Sequence, residues 1–578
     1  MIKTLLKSVR EYKKDAILTP LFMVLEVMME CMIPLLMAYL IDEMTGGSIS
    51  SIFKYGGLLL ICSFISLFGG VMSARKGAVA SVGFATNLRH DLFYRIQDFS
   101  FGDIDKFSTS SLVTRMTSDV SNIQMTFQMC LRMAVRTPMM VIFSSIMALS
   151  INARMSLIFF AIIPFVLLAI FLLARKVMPT FKRIFKKYDA MNESVQENVT
   201  GIRVVKSFVR EDYETAKFKK TSEEVRKDFT YADKTMALMN PIMMFSTYAA
   251  MLLVSYLGAR MIVASGGTDL TTGQMSSLIN YGIQILSSMM MLSMLFVMLS
   301  MSIECGNRVA EVLNYEPTLD TNPAGLAKVK DGSIVFEDVS FKYSKDSEKY
   351  ALSDINLTIP SGSTVGIIGA TGSSKTTLIQ LISRLYDATE GKVLVGGEDV
   401  RNYDVHALRE EVAVVLQKNV LFAGTIKENL CWGDKNASDE EIRRVCQLAC
   451  ADEFIEALPD KYDTHIEQGG TNVSGGQKQR LCIARALLKK PKILILDDST
   501  SAVDTKTDAL IQKAFRTEIP DTTILTIAQR ISSVENADMI IAMDNGRIAE
   551  KGTHEELLAL NGIYKDVYDS QTKGKEEE

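Results

Sequence analysis

The chain has 578 residues, which is long for a single domain and predicts at least two folded units. Hydrophobic residues make up 48% of it and the mean hydropathy is +0.16, values that are high for a soluble protein. The apolar residues are concentrated in the first half, so only that half resembles a membrane protein. The formal net charge of −4 lacks the basic excess typical of nucleic-acid binding, and we expect no nucleic-acid partner.

The cysteines and the first residues exclude two further possibilities. The eight cysteines form neither a CxxC pair nor an evident disulfide framework, so we predict reduced thiols without a bound metal. The opening stretch MIKTLLKSVREYKKDAIL is charged around its apolar residues and lacks a small-residue cleavage site before the long apolar run. It therefore predicts no removable signal peptide.

Six apolar segments follow, each about as long as the ~20 residues that cross the core of a bilayer. They lie near residues 16–41, 55–74, 133–152, 156–178, 237–263 and 276–303. Their number and length predict a membrane domain over residues 1–313, built from six transmembrane helices.

The connections between these segments alternate between short links and two long stretches of roughly sixty polar residues. The long connections have good helical propensity apart from Gly201, which predicts helices that continue well into the cytosol. The positive-inside rule predicts a multi-pass protein of the cell membrane, with both termini and the second domain in the cytoplasm. That orientation depends on the basic residues of the N-terminus and the long connections, which are Lys3, Lys7, Arg10, Lys13, Lys14, Arg75, Lys76, Arg89, Arg115, Lys182, Arg183, Lys186 and Lys187.

The second half has a different pattern. Residues 314–330 hold two prolines and a glycine and predict a linker. From 331 to 570, helical stretches alternate with short β-branched runs, namely SIVFEDVSFKY, STVGIIG, EVAVVLQ, KILILDD and TTILTIA. This alternation predicts an α/β domain with a mostly parallel sheet covered by helices. The charged tail, 571–578, is predicted to be disordered.

The stretch IIGATGSSKTTL follows one of these strands and opens a helix, which is the context of a phosphate-binding loop. The backbone N–H groups would face an anion, Lys375 would add a positive charge, and the Thr376 hydroxyl would ligate Mg²⁺. The pattern G-x-x-x-x-G-K-[ST] is met at Gly369 and Lys375, but Ser374 replaces its second glycine, which predicts weaker ATP binding. The other predicted ATP contacts of the loop are Thr371, Gly372, Ser373 and Thr377. The alternative is a bare strand-to-helix turn.

The stretch ILILDDSTSAVD ends an aliphatic run in two adjacent carboxylates. Asp497 is predicted to be the second Mg²⁺ ligand, although a buried strand that reaches the surface has the same pattern. Asp498 stands where an ATP-hydrolysing site of this kind usually has Glu, which polarises a water molecule. Its side chain is one methylene shorter, and a general base must come within ~2.6–3.2 Å of its water.

The most specific motif is NVSGGQKQR, Asn472 to Arg480, which is similar to the signature sequence of the ATP-binding cassette (ABC) exporters. The chain resembles this family over nearly its whole length. Tyr343 is similar to the aromatic residue that stacks on adenine, and Gln417 to the glutamine that senses Mg²⁺ and the γ-phosphate. HIEQGG resembles the loop that meets the membrane helices, and Ser501 to Asp504 resembles the loop that joins the two nucleotide sites. The resemblance implies a half-transporter dimer, in which each ATP lies between one chain's phosphate loop and the other's signature.

Three positions depart from the family pattern within one site. Asp498 replaces the catalytic Glu, Gln529 in TIAQR replaces the switch histidine, and Ser374 replaces a loop glycine. The signature, by contrast, is intact. This contrast predicts an asymmetric heterodimer with a homologous half-transporter, in which the chain's own site hydrolyses slowly and its signature completes the partner's site. The residues acting on partner-bound ATP are Ser474, Gly475, Gly476 and Gln477, with Asp504 in the joining loop.

Two alternatives stay open. In the first, the chain is a homodimeric exporter in which Asp498 works slowly. In the second, it is a regulatory or channel-like subunit that uses ATP binding as a gate. Drugs, lipids and peptides all fit the exporter architecture, so the predicted substrate is hydrophobic or amphipathic without a narrower class.

The membrane half offers three further candidates. Glu26 and Glu30 lie four residues apart on one helix face near the middle of the bilayer, which makes them either contacts for cationic substrates or structural and gating groups. Asp103–Phe107 and Phe208–Glu214 resemble coupling helices that dock on the cassettes, with solvated bends as the alternative. A methionine run indicates either an adaptable binding surface or ordinary packing, and comprises Met289, Met290, Met291, Met294, Met298 and Met301.

Overall fold

The computed structural model describes residues 1–46, 49–344, 347–498 and 502–576. Contacts divide the chain into two compact units. The helical unit comprises Met1–Gln97 and Thr109–Tyr315, and the α/β unit comprises Asp98–Ser108 and Glu316–Glu578. By its contacts, the short segment 98–108 belongs to the α/β unit, although the sequence analysis places it in a membrane domain over residues 1–313.

Long helices form the helical unit, together with a 3-10 segment at Lys7–Tyr12 and a π-helical turn at Arg115–Asp119. The α-helices of the described chain up to Tyr315, including α4 of the α/β unit, are α1 (Ile2–Leu6), α2 (Lys13–Gly46), α3 (Ile49–Gln97), α4 (Phe101–Phe107), α5 (Thr109–Thr114), α6 (Val120–Ile151), α7 (Ala153–Thr200), α8 (Ile202–Ser207), α9 (Glu211–Ala237), α10 (Met239–Ser265) and α11 (Thr272–Asn314).

Six helical stretches of the described residues are long and apolar enough to cross a membrane. They are Ile2–Met44, Ile49–Gln97, Thr109–Ile151, Ala153–Phe181, Glu211–Ser265 and Thr272–Phe296. Each overlaps one of the six predicted segments, which confirms that prediction. Helices α3 and α7 have 49 and 48 residues, so at ~1.5 Å per residue both are far longer than a hydrocarbon core of ~30 Å. The predicted extensions beyond the bilayer are therefore present as continuous helices.

Two glycines allow α2 and α3 to approach closely. A Cβ atom added at Gly69 would lie 3.1 Å from the carbonyl O of Phe22, and one at Gly70 would lie 3.2 Å from Cδ of Glu26. Both distances are tighter than ordinary van der Waals contact, so larger residues would push the helices apart. Small residues favour close helix packing in membranes, and here they also leave room for the carboxylate of Glu26.

The second long connection is interrupted at its tip. The short helix α8 ends at Ser207, and α9 begins at Glu211. Of the predicted coupling helix at Phe208–Glu214, only the part from Glu211 is helical, as the first turn of α9, so the predicted bounds are wrong. Val209 has φ +51°, a left-handed backbone conformation through which a right-handed helix does not continue.

The described residues of the α/β unit form three sheets. The strands are β1 (Ile334–Phe341), β2 (Leu352–Ile359), β3 (Thr364–Gly369), β4 (Glu390–Val395), β5 (Glu398–Asp399), β6 (Val412–Val415), β7 (Gly424–Thr425), β8 (His465–Ile466), β9 (Ile493–Asp497), β10 (Thr523–Ile527), β11 (Met539–Asp544) and β12 (Arg547–Gly552). The largest sheet has the order β12-β11-β3-β10-β9-β6 and is parallel except at β12. A four-stranded antiparallel sheet has the order β2-β1-β4-β5, and β7 pairs with β8.

All five predicted β-branched runs contain strands, and four of these strands, β3, β6, β9 and β10, lie in the parallel sheet. Strands β9 and β10 are buried along their whole length, as expected for strands covered on both faces. The α/β fold with a mostly parallel sheet is thus confirmed. Strand β1 lies instead in the antiparallel sheet, where its partner β2 alternates between buried and less buried residues.

The helices of the rest of the α/β unit are α12 (Lys375–Ile382), α13 (Val405–Glu411), α14 (Ile426–Leu430), α15 (Asp439–Leu448), α16 (Asp452–Glu456), α17 (Gly475–Leu488), α18 (Thr505–Glu518), α19 (His554–Leu560) and α20 (Ile563–Glu576). Helix α20 continues into the charged tail. The predicted disorder is therefore wrong for residues 571–576, whose Lys, Gln and Glu residues are good helix formers.

Candidate functional site

The carboxyl ends of three neighbouring parallel strands define one edge of the large sheet. Ile527 of β10 lies beside Ile367 of β3 and beside Asp497 of β9. From these strands the chain continues into the loop 369–374, into Asp498 and into Gln529. Ligands of open α/β sheets bind at this edge. The structure therefore brings together three elements of the nucleotide site that the sequence predicts.

The loop between β3 and α12 requires unusual backbone conformations. Gly369 has φ +149°, and a Cβ atom there would lie 2.3 Å from the carbonyl O of Met543, so only glycine fits. Gly372 has φ +85°. Ser374 has φ +70°, and the left-handed region costs a non-glycine residue ~1–2 kcal/mol. The strain at Ser374 is the structural counterpart of the glycine that the sequence pattern lacks.

The ammonium group of Lys375 lies inside this loop. Its Nζ donates hydrogen bonds to the carbonyl oxygens of Gly369 at 2.8 Å and Ala370 at 2.9 Å, and lies 3.4 Å from Oγ of Ser373. Burial lowers the pKa of Lys375, while the carboxylates of Asp497 and Asp498 act in the opposite direction. The predicted loop residue Thr371 is exposed. The loop therefore presents a cation and backbone groups, as phosphate binding requires.

The two predicted Mg²⁺ ligands of the loop and of β9 are in direct contact. The Thr376 hydroxyl donates a hydrogen bond to Oδ1 of Asp497 at 3.1 Å. Asp497 is only 2% exposed, and burial raises its pKa, while the hydrogen bond from Thr376 opposes this. A hydroxyl beside a buried carboxylate is an oxygen donor set of the kind that Mg²⁺ prefers. The residues present therefore fit the metal that the sequence predicts.

Asp498 is held by two amide side chains. Nε2 of Gln529 donates a hydrogen bond to Oδ2 of Asp498 at 2.7 Å, and Gln417 also hydrogen-bonds this carboxylate. Burial raises the pKa of Asp498, while these hydrogen bonds and the charges of Lys375 and Arg530 act against the rise. The structure thus brings the predicted base, switch and Mg²⁺-sensing positions together. At the switch position it places an amide, which cannot exchange a proton near neutral pH.

Tyr343 lies next to the phosphate loop. Its hydroxyl is 2.8 Å from Oγ1 of Thr377 in α12, and its side chain is 55% exposed. An aromatic ring in this position is available to stack on a base. Tyr386 was not predicted from the sequence, and its ring contacts that of Tyr343 edge-on with centroids 5.3 Å apart. No local pattern marks Tyr386, because its role comes from a contact between distant segments.

The predicted coupling segment Asp103–Phe107 is helical and lies within α4. Asp103 is fully buried and forms a capping box with Ser100, since its carboxylate accepts a hydrogen bond from the backbone N–H of Ser100 at 2.9 Å. The same carboxylate accepts from the Thr318 hydroxyl at 2.9 Å, and Asp105 accepts from the Tyr386 hydroxyl at 2.8 Å. Helix α4 is thus hydrogen-bonded to Tyr386, the residue whose ring contacts Tyr343.

The signature residues form the start of α17. Ser474 is its N-cap and forms a capping box with Gln477, in which each side chain accepts from the other's backbone N–H, at 3.3 and 2.9 Å. Gly475 and Gly476 occupy the first turn, and a Cβ atom at Gly476 would lie 2.8 Å from the carbonyl O of Ala502. The helix therefore presents backbone N–H groups, a hydroxyl and bare glycines at one end.

The joining loop lies against this helix. The backbone N–H of Ala502 donates to Oε1 of Gln479 at 3.0 Å. Asp504 is the N-cap of α18 and accepts from the N–H of Thr507 at 3.0 Å, a contact that lowers the pKa of Asp504. Ser501, the first residue of the predicted loop, lies outside the described residues.

In the helical unit, Glu26 and Glu30 both form ion pairs with Arg136, which was not predicted from the sequence. Nη1 of Arg136 in α6 lies 2.5 Å from Oε1 of Glu26, and its Nη2 lies 2.7 Å from Oε2 of Glu30. We call these three residues the charge triad. Two carboxylates and one guanidinium leave it with a net charge of −1. Oε2 of Glu26 is buried and has no hydrogen-bond partner among the residues that the structure describes.

The methionine run does not form one surface. Met289 is buried among apolar side chains, whereas Met290, Met291 and Met294 are exposed in the single chain. The side chain of Met301 lies outside the described part of the structure. The buried and exposed members therefore have different surroundings.

The fold and the site together define a class. An α/β unit with a phosphate-binding loop and a capped signature helix follows six helices that can cross a membrane, which is the arrangement of a half-transporter driven by a nucleotide. The chain belongs to the ABC transporter family. The model of the ABC transporter transmembrane region matches residues 16–299, and the ABC transporter model matches residues 352–501. It is accordingly a multi-pass membrane protein with an ABC ATPase domain.

Individual proteins show how far the similarity extends. The uncharacterized ABC transporter ATP-binding protein YfiB of Bacillus subtilis is 34% identical over 567 residues, which cover 98% of both chains. The ATP-dependent lipid A-core flippase of Desulfotalea psychrophila is 33% identical over 495 residues, 84% of both chains. A solved structure of a bacterial Atm1-family ABC exporter with ATP bound aligns with a TM-score of 0.83 at 22% identity, covering 97% of this chain and 98% of that one. The fold is therefore that of an ABC exporter half-transporter.

Proposed function

We propose that the chain is one subunit of a heterodimeric ATP-driven exporter. Its partner is a homologous half-transporter that carries Glu and His where this chain has Asp498 and Gln529. The chain's own loop holds ATP in a site that hydrolyses slowly, and its signature completes the partner's site. The observation that carries the proposal is the Asp498–Gln529 hydrogen bond of 2.7 Å at the carboxyl edge of the sheet.

Two features of this position oppose base catalysis. The shorter aspartate is withdrawn from the attacking water by about one bond length relative to glutamate. In addition, the amide of Gln529 donates to Oδ2 of the carboxylate, which makes the carboxylate a weaker proton acceptor, and an amide cannot pass a proton on. The groups proposed to bind ATP and Mg²⁺ are not altered in this way, since Lys375 lies within the loop and the Thr376 hydroxyl contacts Asp497.

The signature supports the second half of the proposal. Ser474, Gly475 and Gly476 stand at the start of a 14-residue helix, with the hydroxyl and backbone N–H groups at its N-terminus. Such a terminus favours an anion. In the proposed dimer this anion is the γ-phosphate of ATP held by the partner's loop. The chain thereby supplies an intact half of the active site that hydrolyses.

In the proposed orientation, both termini and the α/β unit lie in the cytoplasm, and the protein is in the cell membrane. The basic residues on the long connections support this topology through the positive-inside rule. The transported compound is hydrophobic or amphipathic, which includes drugs, lipids and peptides. The lipid named for the Desulfotalea psychrophila relative belongs to this range.

The charge triad supports a contribution to substrate binding. Ionisable groups inside a membrane are costly and usually face a cavity or a partner. With a net charge of −1, the triad would be neutralised by a substrate that carries one positive charge. We therefore propose that Glu26 and Glu30 contact amphipathic cations, and that Arg136 holds the two carboxylates in place when no cation is present.

The proposal is tested by comparing the purified chain with the purified pair in lipid vesicles. We expect little ATP hydrolysis by the chain alone and substrate-stimulated hydrolysis with transport by the pair. Replacing Asp498→Glu together with Gln529→His should raise the ATPase rate of the pair, because it restores a base and a titratable switch in the second site. Vigorous turnover by the unmodified chain alone would favour the homodimer, and ATP-dependent ion conductance without uphill transport would favour the gated channel.

A further inference from the structure

The last helix contacts the loop that carries the switch position. The amide of Gln571 in α20 makes two hydrogen bonds to this loop. Its Oε1 accepts from the backbone N–H of Ile531 at 3.0 Å, and its Nε2 donates to the carbonyl O of Gln529 at 2.8 Å. The side chain of Gln571 therefore bonds the backbone on both sides of Arg530. One of the two bonded residues is Gln529, whose own side chain donates to Asp498.

The position of Gln571 on its helix follows from the spacing of its neighbours. Tyr564, Val567 and Tyr568 pack on an apolar cluster that includes Ile531, and these three residues and Gln571 follow the spacing i, i+3, i+4, i+7. Gln571 continues this face by one more turn, where its side chain is exposed and lies beyond the packed residues. Its contact with the loop is therefore made by its amide group.

The switch loop connects this helix to Asp498, to the joining loop and to α18. We define the switch loop as residues 528–534. Gln529 reaches Asp498, Nη1 of Arg530 donates to the carbonyl O of Val503 at 3.4 Å, and Oγ of Ser533 donates to Oδ2 of Asp508 at 2.5 Å. A displacement of the switch loop would therefore alter the predicted base position and the joining loop together.

Helix α20 is itself firmly anchored. Tyr564 is fully buried, its hydroxyl lies 2.6 Å from Nδ1 of His554, and its backbone N–H donates to Oε2 of Glu550 at 3.0 Å. The helix thus gives Gln571 a fixed base from which to hold the loop. A rigid support of this kind is what places a functional side chain reproducibly.

We propose that Gln571 is a positioning residue for the nucleotide site of its own chain. By fixing the backbone at Gln529 and Ile531, it keeps the Gln529 side chain on Asp498 and slows the release of ATP from the site at Lys375. The C-terminal helix thereby slows nucleotide exchange. This inference rests on the proposed function in one respect, namely that the chain's own loop binds ATP.

The test uses the full-length chain and a fluorescent ATP analogue with Mg²⁺. Gln571→Leu removes both hydrogen bonds at an exposed position of α20. We expect only a small fall in melting temperature, faster amide hydrogen exchange over residues 528–534, and nucleotide release about tenfold faster, because each hydrogen bond changes an equilibrium roughly 2- to 12-fold. Ser570→Ala is the matched control, since the Ser570 hydroxyl bonds within its own helix to the carbonyl O of Val567.

A double-mutant cycle separates positioning from a general structural effect. If Gln571 acts through Gln529, Gln571→Leu should have little further effect on release in a Gln529→Ala background. Equal acceleration in both backgrounds, or unaltered release by Gln571→Leu from a chain that binds the nucleotide, would overturn this inference alone. A chain that binds no ATP at all would overturn the proposed function as well. Binding of the fluorescent analogue identifies that case, and the exchange measurement, which needs no nucleotide, still tests whether Gln571 holds residues 528–534.

Discussion

At the scale of single residues, two contacts change the role that the sequence suggests for Asp498 and for the pair Glu26 and Glu30. The carboxylate of Asp498 accepts a hydrogen bond from an amide, so the slow hydrolysis that we propose for this site depends on hydrogen bonding as well as on side-chain length. Glu26 and Glu30 share Arg136 and are not two free anions. Neither contact could be predicted from the sequence, because spacing along one segment says nothing about which side chain of another segment lies opposite.

The charge triad gives a prediction at this scale. Glu26→Gln combined with Glu30→Gln leaves Arg136 unopposed and changes the local charge from −1 to +1. We expect uptake of an amphipathic monocation into inverted vesicles to fall about tenfold, which corresponds to ~1.4 kcal/mol, while uptake of a neutral analogue and the basal ATPase rate stay within about twofold.

Asp15→Asn is the matched control, because it removes a carboxylate of the same helix that is paired with Lys76 at 2.8 Å and is not part of the triad. If the double variant transports the monocation and the neutral analogue equally poorly, the triad stabilises the helices and does not select substrates by charge.

At the scale of elements, the sequence predicts those parts that have their own local signal. The six spans are recognisable by length and hydropathy, and β9 and β10 by uninterrupted aliphatic runs. The antiparallel sheet was not predicted, since β2 alternates and β5 has only two residues. The break before α9 was missed because a single left-handed residue, Val209, leaves no trace in helical propensity.

Helix α4 gives a prediction at the scale of elements. Asp103→Ala removes the capping box and the hydrogen bond from Thr318, and loss of a cap alone costs ~0.5–2 kcal/mol. If α4 transmits movement between the ATPase domain and the membrane helices, this variant should hydrolyse ATP at a near-normal rate in the pair but transport less substrate per ATP. The measurement is the ratio of transport to hydrolysis in the same vesicles.

Asp98→Asn serves as the control, because Asp98 is an exposed carboxylate just before the same helix. A proportional loss of transport and hydrolysis in Asp103→Ala would assign α4 a structural role and leave the coupling interpretation without support.

At the scale of the whole molecule, we propose that the two ATP sites that this chain shares with a partner differ in their rates of hydrolysis. The proposal that the chain's own site binds ATP better than it hydrolyses it is supported by the groups around Lys375 and Asp497 and by the amide that bonds Asp498. The family and the two-unit architecture were predictable from motifs of high specificity, above all NVSGGQKQR. The partner was inferred from the contrast between an intact signature and an altered base.

The most direct measurement is the steady-state ATPase rate of the pair with Asp498→Ala or Ser474→Ala in this chain. The account predicts a mild loss for Asp498→Ala, and a loss on the order of 10²–10³ for Ser474→Ala, which removes a donor aimed at the partner's ATP. Ser438→Ala controls for the lost cap, because Ser438 forms the same capping box on α15 away from the signature. If Asp498→Ala is as damaging as Ser474→Ala, the site at Lys375 is catalytic and the asymmetric account is contradicted.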